Sequence, residues 1–297
     1  MDLSLEVPGW WGFHRPTPTP RSIVELIRLG ALDSELAALL WLLLEARVPL
    51  VVAAGETMAG KTTILTALLE FLPPATRRVV LRGLAEDFAW MPEADRLGRR
   101  RIAGSEPVAA VAVTPSDPRA TVMLAAELSQ DLPLYTWGEQ ARTAVRALGL
   151  GYGLATTMRA ATLEEVFDAL SAPPLSLSSD ELSYFGVVLI VRDLRVVAAH
   201  YVRPLVRDVH GHLRRQPPAV LATWDPGRAA FEHFAWGILV ELAGRSGLRP
   251  GDFEAEQARR ADFLASLGEI GVVKPADVRA ALLAYRVGGT GDGLHRH

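Results

Sequence analysis

At 297 residues the chain can bury a full core and suits one large domain, or one with a small appendage. A net charge of −3 removes the electrostatic case for nucleic acid as main partner, and the absence of cysteine excludes a disulfide framework, cysteine-zinc sites and thiol catalysis. The longest apolar run, residues 36–44, is too short to span a bilayer, and the first six residues lack the basic start and long apolar run of a signal peptide. A cytoplasmic protein is expected, with any membrane role exerted through partners.

In chain order, residues 1–33 form an aromatic, proline-rich arm in which Trp10, Trp11 and Phe13 precede Arg15-Pro16-Thr17-Pro18-Thr19-Pro20. A short helix begins at Ser22, and a second over residues 34–47, capped by Asp33 or Ser34, is apolar nearly all round and therefore predicted buried. The β-branched run 48–54 predicts a buried strand. It leads into Gly55-Glu56-Thr57-Met58-Ala59-Gly60-Lys61-Thr62-Thr63, which fits G-x-x-x-x-G-K-[ST] without a gap. Apolar residues at helical spacing follow, and Pro73-Pro74 stops them.

A strand, a glycine loop and a helix aim backbone N–H groups and a helix N-terminus at phosphate oxygens. In such a loop Lys61 reaches the β- and γ-phosphates and the Thr62 hydroxyl is a Mg²⁺ ligand. Of the 31 basic residues only Lys61 and Lys274 are lysine, so the lysine in the loop is a choice that arginine could not replace.

Residues 77–81 read as the next strand, with Glu86-Asp87 near the carboxyl end where ligand groups of open α/β sheets gather. The basic cluster Arg96, Arg99, Arg100 and Arg101 follows. Residues 108–113 suggest a strand, 118–128 a helix, and 132–137 a strand ending at Gly138-Glu139. An acidic residue directly after an apolar strand suits a carboxylate that orients Mg²⁺ or water, which makes Glu139 the candidate partner of the phosphate loop, assisted by Glu86 and Asp87. Residues 154–159 supply another strand, and Thr162 caps a helix to Leu170. After Pro173-Pro174 come strands over 184–191, 195–209 and 219–224, the last two joined through His210-Gly211-His212, read as a hairpin turn rather than a metal site. Helices are predicted over 229–242, 253–267 and 275–285, and a glycine-rich tail from 288.

These residues resemble the ATPases that power type II and type IV secretion, type IV pili and archaeal flagella. The matches, in the family's order, are residues 36–46 to the helix leading into its first strand, 55–63 to its Walker A loop, Trp137-Gly138-Glu139 to its Walker B box, and 151–160 to the box that carries its two histidines. The resemblance implies a RecA-like α/β fold with a largely parallel sheet: an arm over 1–33, a P-loop core over 34–228, a helical C-terminal part over 229–287 and a tail over 288–297. It implies ATP and Mg²⁺ as cofactors, a cytoplasmic hexameric ring or a mixed ring with a paralogue, and a membrane-embedded platform protein as partner.

Several family positions differ. A glutamate that prepares water is replaced by Trp90, the two histidines by Tyr152 and Arg159, and two arginines by Ser129 and by Ala141 or Arg142. Nothing in residues 1–33 resembles the separate N-terminal domain of the family, and an arm in its place is the expectation. Two functions follow as expectations: an ATP-hydrolysing motor subunit, with Lys61 and Glu139 as its centre, or a nucleotide-sensing subunit that binds ATP with little hydrolysis. No guanine-reading N-K-x-D and no L-S-G-G signature accompanies the loop.

Overall fold

The computed structural model describes residues 20–98 and 116–291. The sequence-predicted strand 108–113, the arginines 99–101, the arm up to residue 19 and the end of the tail lie outside them.

The N-terminal helices are α1 (Ile23–Arg28) and α2 (Ser34–Glu45). The Asp33 side chain accepts the Leu36 N–H at 2.9 Å, and the nine residues of α2 from Leu36 to Leu44 are all buried. Strand β1 (Leu50–Ala53) runs into the phosphate loop and helix α3 (Lys61–Leu68). Next come β2 (Arg77–Val80), β3 (Thr121–Leu128), α4 (Gly138–Leu148), β4 (Gly153–Met158), α5 (Leu163–Ser171) and the single turn α6 (Ser179–Leu182). A run of strands follows: β5 (Val187–Arg192), β6 (Arg195–Tyr201), the two-residue pair β7 (Val206–Arg207) and β8 (Leu213–Arg214), β9 (Ala219–Asp225) and β10 (Ala230–His233). Helices α7 (Leu239–Ser246), α8 (Pro250–Glu269) and α9 (Pro275–Gly291) close the chain.

Eight strands form one sheet in the order β10-β9-β6-β5-β1-β4-β3-β2. The five from β5 to β2 are mutually parallel, and β6, β9 and β10 continue the sheet antiparallel. The fold is therefore the α/β, largely parallel core expected of a RecA-like protein, with its phosphate loop after a central strand and helices at the C-terminus. Alternate residues of β1 serve opposite faces. Leu50 and Val52 join one core with α1, α2, α3 and the C-terminal helices, while Val51 and Ala53 join the other with α4 and α5.

Several segments differ from expectation, among them 195–209, which is β6 ending at Tyr201 and then the two-residue β7, and residues 288–291, which continue α9 instead of starting the tail. The predicted helix 118–128 is a single 3-10 turn followed by β3, whose eight residues are all buried. A strand covered on both faces reads as a continuous apolar run, which periodicity cannot separate from a buried helix. Residues 132–137 are turns, touching the sheet only through a parallel bridge of Thr136 to Leu128. Within 229–242 the chain first adds β10 to the sheet edge, pairing Phe231 with Trp224, before it becomes helical.

Candidate phosphate-loop site

Three parallel strands bring the site together. Met158 of β4 is in register with Ala53 of β1 on one side and Leu128 of β3 on the other, so the phosphate loop and the end of β3 open onto the same edge of the sheet. Ala54 and Ala160 tie the start of the loop to the end of β4, through Ala54 N–H to Met158 O at 3.2 Å and Ala160 N–H to Ala54 O at 3.1 Å.

The loop turns into α3 through Gly60, whose φ of +95° is left-handed, and no side chain caps the helix. Among the described residues no backbone or side-chain acceptor takes the N–H groups of residues 55–63. Unpaired amides at a helix N-terminus form an anion-binding nest. From the far side the β5–β6 turn closes on the loop: the Leu194 N–H donates to Ala59 O at 2.9 Å. A Cβ at Gly60 would stand 2.6 Å from Leu194 Cδ1, and one at Gly55 would stand 3.0 Å from Ala161 Cβ. A cleft of about 110 Å³ lies beside the loop, lined by Gly55, Glu56, Ala59, Ala161 and Ile190 to Arg192.

Lys61 is buried at the start of α3, and its Nζ stands 3.6 Å from Glu127 Oε2. Glu127 is the penultimate residue of β3, itself buried, and its carboxylate also accepts from Thr157 Oγ1 at 3.3 Å. The same Thr157 hydroxyl lies 2.7 Å from Ala126 O. The chemistry of this donor set fits a magnesium-bound polyphosphate: a nest of amides and an ammonium for the phosphates, with the Thr62 hydroxyl and the Glu127 carboxylate as hard oxygen ligands.

Glu127 is the residue that sequence reasoning missed. The signal was present, since an acid near the end of an apolar run is the same cue that pointed to Glu139, but the run T-V-M-L-A-A-E-L was read as a helix. Glu139 lies exposed in the first turn of α4. Glu86 is buried beyond β2, three strands from β1 or about 14 Å of sheet. Its carboxylate accepts from the N–H of Arg82 at 3.0 Å, the N–H of Phe88 at 2.7 Å and Trp90 Nε1 at 3.2 Å, which folds it into its own turn. Asp87 is exposed and pairs with Arg82 at 2.5 Å. The structure thus joins the loop residues to Glu127, and holds Glu86 and Asp87 in a local turn with Arg82.

The positions that differ from the secretion ATPases fall in two places. Trp90 and Tyr152 pack edge to face, 5.8 Å apart, and the Tyr152 hydroxyl is 3.0 Å from both Glu93 Oε2 and Ser116 Oγ. Tyr152 precedes β4, at the end of the strand remote from the loop. Ser129 and Arg159 lie instead at the loop edge: Ser129 Oγ accepts the Asp131 N–H at 3.1 Å, and Arg159 is 3.4 Å from Asp131 Oδ2. Arg142 is turned away, its Nε donating to Leu175 O at 2.9 Å.

No family model matches the chain. It is 25% identical to the uncharacterized protein MJ0900 of Methanocaldococcus jannaschii over 241 residues, 76% of this chain but 41% of that protein, so it spans less than half the length of that relative. It is 27% identical to the uncharacterized protein MJ1287 of the same organism over 265 residues, 82% of this chain and 90% of that one. Among solved structures it is similar to the Legionella pneumophila ATPase DotB, at 14% identity and a TM-score of 0.34, over 82% of this chain and 58% of that one. No helix among the described residues is long and apolar enough to cross a membrane.

Proposed function

We propose that the chain binds ATP with Mg²⁺ on the loop of residues 55–63 and hydrolyses it, with Glu127 in the role that the sequence pattern assigned to Glu139. The observation that carries this reading is the Lys61–Glu127 pair, 3.6 Å apart at the mouth of an unpaired amide nest. A buried carboxylate opposite the phosphate-gripping lysine has the position needed to accept a hydrogen bond from a water attacking the terminal phosphorus in line. Lys61 would shift from Glu127 to the β- and γ-oxygens, freeing the carboxylate. The loop amides would spread over the phosphates as charge builds on the bridging oxygen. Bound Mg²⁺ would neutralise the β- and γ-oxygens, with Thr62 and Glu127 as its ligands on the protein side.

The motor role in a type II/IV secretion or pilus-type machine, the hexameric or mixed ring, and the membrane platform as partner all rest on the ordered sequence resemblance. A second reading is a nucleotide-sensing subunit with little hydrolysis. Glu86 favours it, because the carboxylate nearest to Trp90, where the family has a water-preparing glutamate, is already committed to three local donors.

Titration with a fluorescent ATP analogue tests the core proposal. Lys61→Ala should abolish binding, and unchanged binding would sink both readings. Phosphate release then separates them: the motor predicts steady turnover that Glu127→Gln lowers by about 10²–10⁴ while ATP stays bound, and that Glu139→Gln leaves nearly intact. The sensor predicts little turnover in any variant.

A further inference from the structure

The chain leaves the sheet edge at β10 through a 3-10 turn, Ala235–Ile238, and enters α7. Leu242 and Ala243 turn that helix onto the core, and Leu239 packs beside them. Its opposite face stays in water: Val240 is 72% exposed, Trp236 just before the helix is 75% exposed, and Phe234 adds a third apolar surface at 38%. A single exposed apolar residue is ordinary, but three between positions 234 and 240 form a patch of the kind that marks a contact surface. Strand β10 beside it carries Glu232 and His233 on a four-residue edge, the short, charged type that discourages strand addition, so the apolar face is the part that invites a partner.

Size falls along this face in regular steps. Trp236, Val240 and Gly244 follow one another at intervals of four, the spacing that keeps residues on one side of a helix. Gly244 is exposed inside α7, where glycine is a poor helix former, and a Cβ there would meet nothing within 4 Å in this chain. The fold of the single chain therefore gives no reason for the missing side chain. Turned end for end about Val240, the series fits itself: Trp236 of one copy falls on the notch at Gly244 of the other, Val240 meets Val240, and the first contact repeats on the far side. Charge follows the same order. Asp33, Glu35 and Glu232 lie near the Trp236 end, where Arg228 pairs with Glu232, whereas Arg245 and Arg249 lie at the Gly244 end. The same turn brings the basic end over the acidic one.

We infer that this face pairs with that of a second copy of the chain, across a two-fold axis at Val240. Such a contact is isologous and closes after two copies, so it is separate from the head-to-tail contact that a ring requires. With one large anchor and a modest area it belongs to the weak, reversible class and shifts with concentration.

The chain has no cysteine, which opens a direct test. Val240→Cys stands on the inferred axis, so mild oxidation should join two chains into a species of twice the 32.2 kDa chain mass. Val209→Cys, 95% exposed on the β7–β8 turn, should stay single under the same treatment. Sedimentation velocity without nucleotide should show the wild type passing from one chain to two as concentration rises. Trp236→Ala should weaken the pairing about tenfold or more, as loss of a central aromatic anchor does. Gly244→Leu, whose side chain has room in the single chain, should fill the notch and weaken pairing to a similar degree, while its far-ultraviolet spectrum matches the wild type and its unfolding midpoint does not fall. A wild type that stays single at every concentration, equal cross-linking of the two cysteine variants, or a pair that neither Trp236→Ala nor Gly244→Leu loosens overturns the inference. Any of these results would leave the face to a different protein or to another part of this chain. Because no nucleotide is present, none of them bears on the ATP-binding reading.

Discussion

Gly60 shows how narrow the tolerance of the phosphate loop is. Its φ of +95° lies where side-chain-bearing residues are strained, and a Cβ there would stand 3.1 Å from the Leu194 backbone as well as 2.6 Å from its side chain. Gly60→Ala should cost about 1–2 kcal/mol of stability from the left-handed conformation alone. It should also push the β5–β6 turn off the loop and weaken nucleotide binding. Urea unfolding midpoints and an ATP-analogue titration on the same variant check the two parts. Met58, two residues earlier, is left-handed as well at φ +64° and 98% exposed, so the tip of the loop holds a conformation that its own side chain does nothing to pack. Lys61 was readable from the motif itself. Its partner was not, because nothing within β3 announces that Glu127 faces a lysine 66 positions earlier in the chain.

Elements are joined by contacts that sequence distance hides, and the edge strand β10 is a case. His233 Nε2 lies 2.8 Å from Asp33 Oδ2, while its Nδ1 is 3.7 Å from Glu35 Oε1, so an imidazole on the last strand faces two acids at the start of α2. Burial alone would lower its pKa, but the hydrogen bond and charge of Asp33, with Glu35 behind, outweigh burial and raise it. A folded-state pKa above the unfolded value means that this link contributes fully below about pH 6.5 and is lost as pH rises through the raised value. His200 on β6 is shifted the other way, lowered by burial with Glu164 opposing, so its contribution to pH dependence falls on the acid side. The wild type should therefore lose more stability than His233→Gln between about pH 6.5 and the alkaline side of neutrality. Chemical denaturation at a series of pH values reads the difference, and parallel curves for the two proteins would discard the link. The β5–β6 turn is a second case: Asp193 and Leu194 are both left-handed, at φ +49° and +61°, giving the tight two-residue hairpin whose tip pins the phosphate loop.

Across the whole molecule the C-terminal helices share a core with α1 and α2. Trp41 of α2 stacks on Phe71 at 5.0 Å, meets Phe263 of α8 and Tyr285 of α9, and carries the Arg260 guanidinium 4.5 Å above its ring. Glu45, one turn further along α2, pairs with Arg260 at 2.7 Å and Arg286 at 2.9 Å, while Glu70 pairs with Arg279 at 2.9 Å. Because one side chain spans four parts of the chain, Trp41→Ala should cost about 3–5 kcal/mol and shift a single cooperative transition. Thermal unfolding followed by far-ultraviolet and tryptophan signals checks this, and two separated transitions would show that the C-terminal helices melt on their own.

The sequence by itself determined the phosphate loop, the strand and helix on either side of it, the buried character of α2 and the α/β class, since each depends on spacing within a dozen residues. Tertiary structure alone decided that 121–128 is a strand, that β4 lies between it and β1, and that Glu127 and Leu194 converge on the loop. The reason is physical: a strand buried on both faces has no periodicity to betray it, and lateral order in a parallel sheet is chosen by packing between segments far apart in the chain.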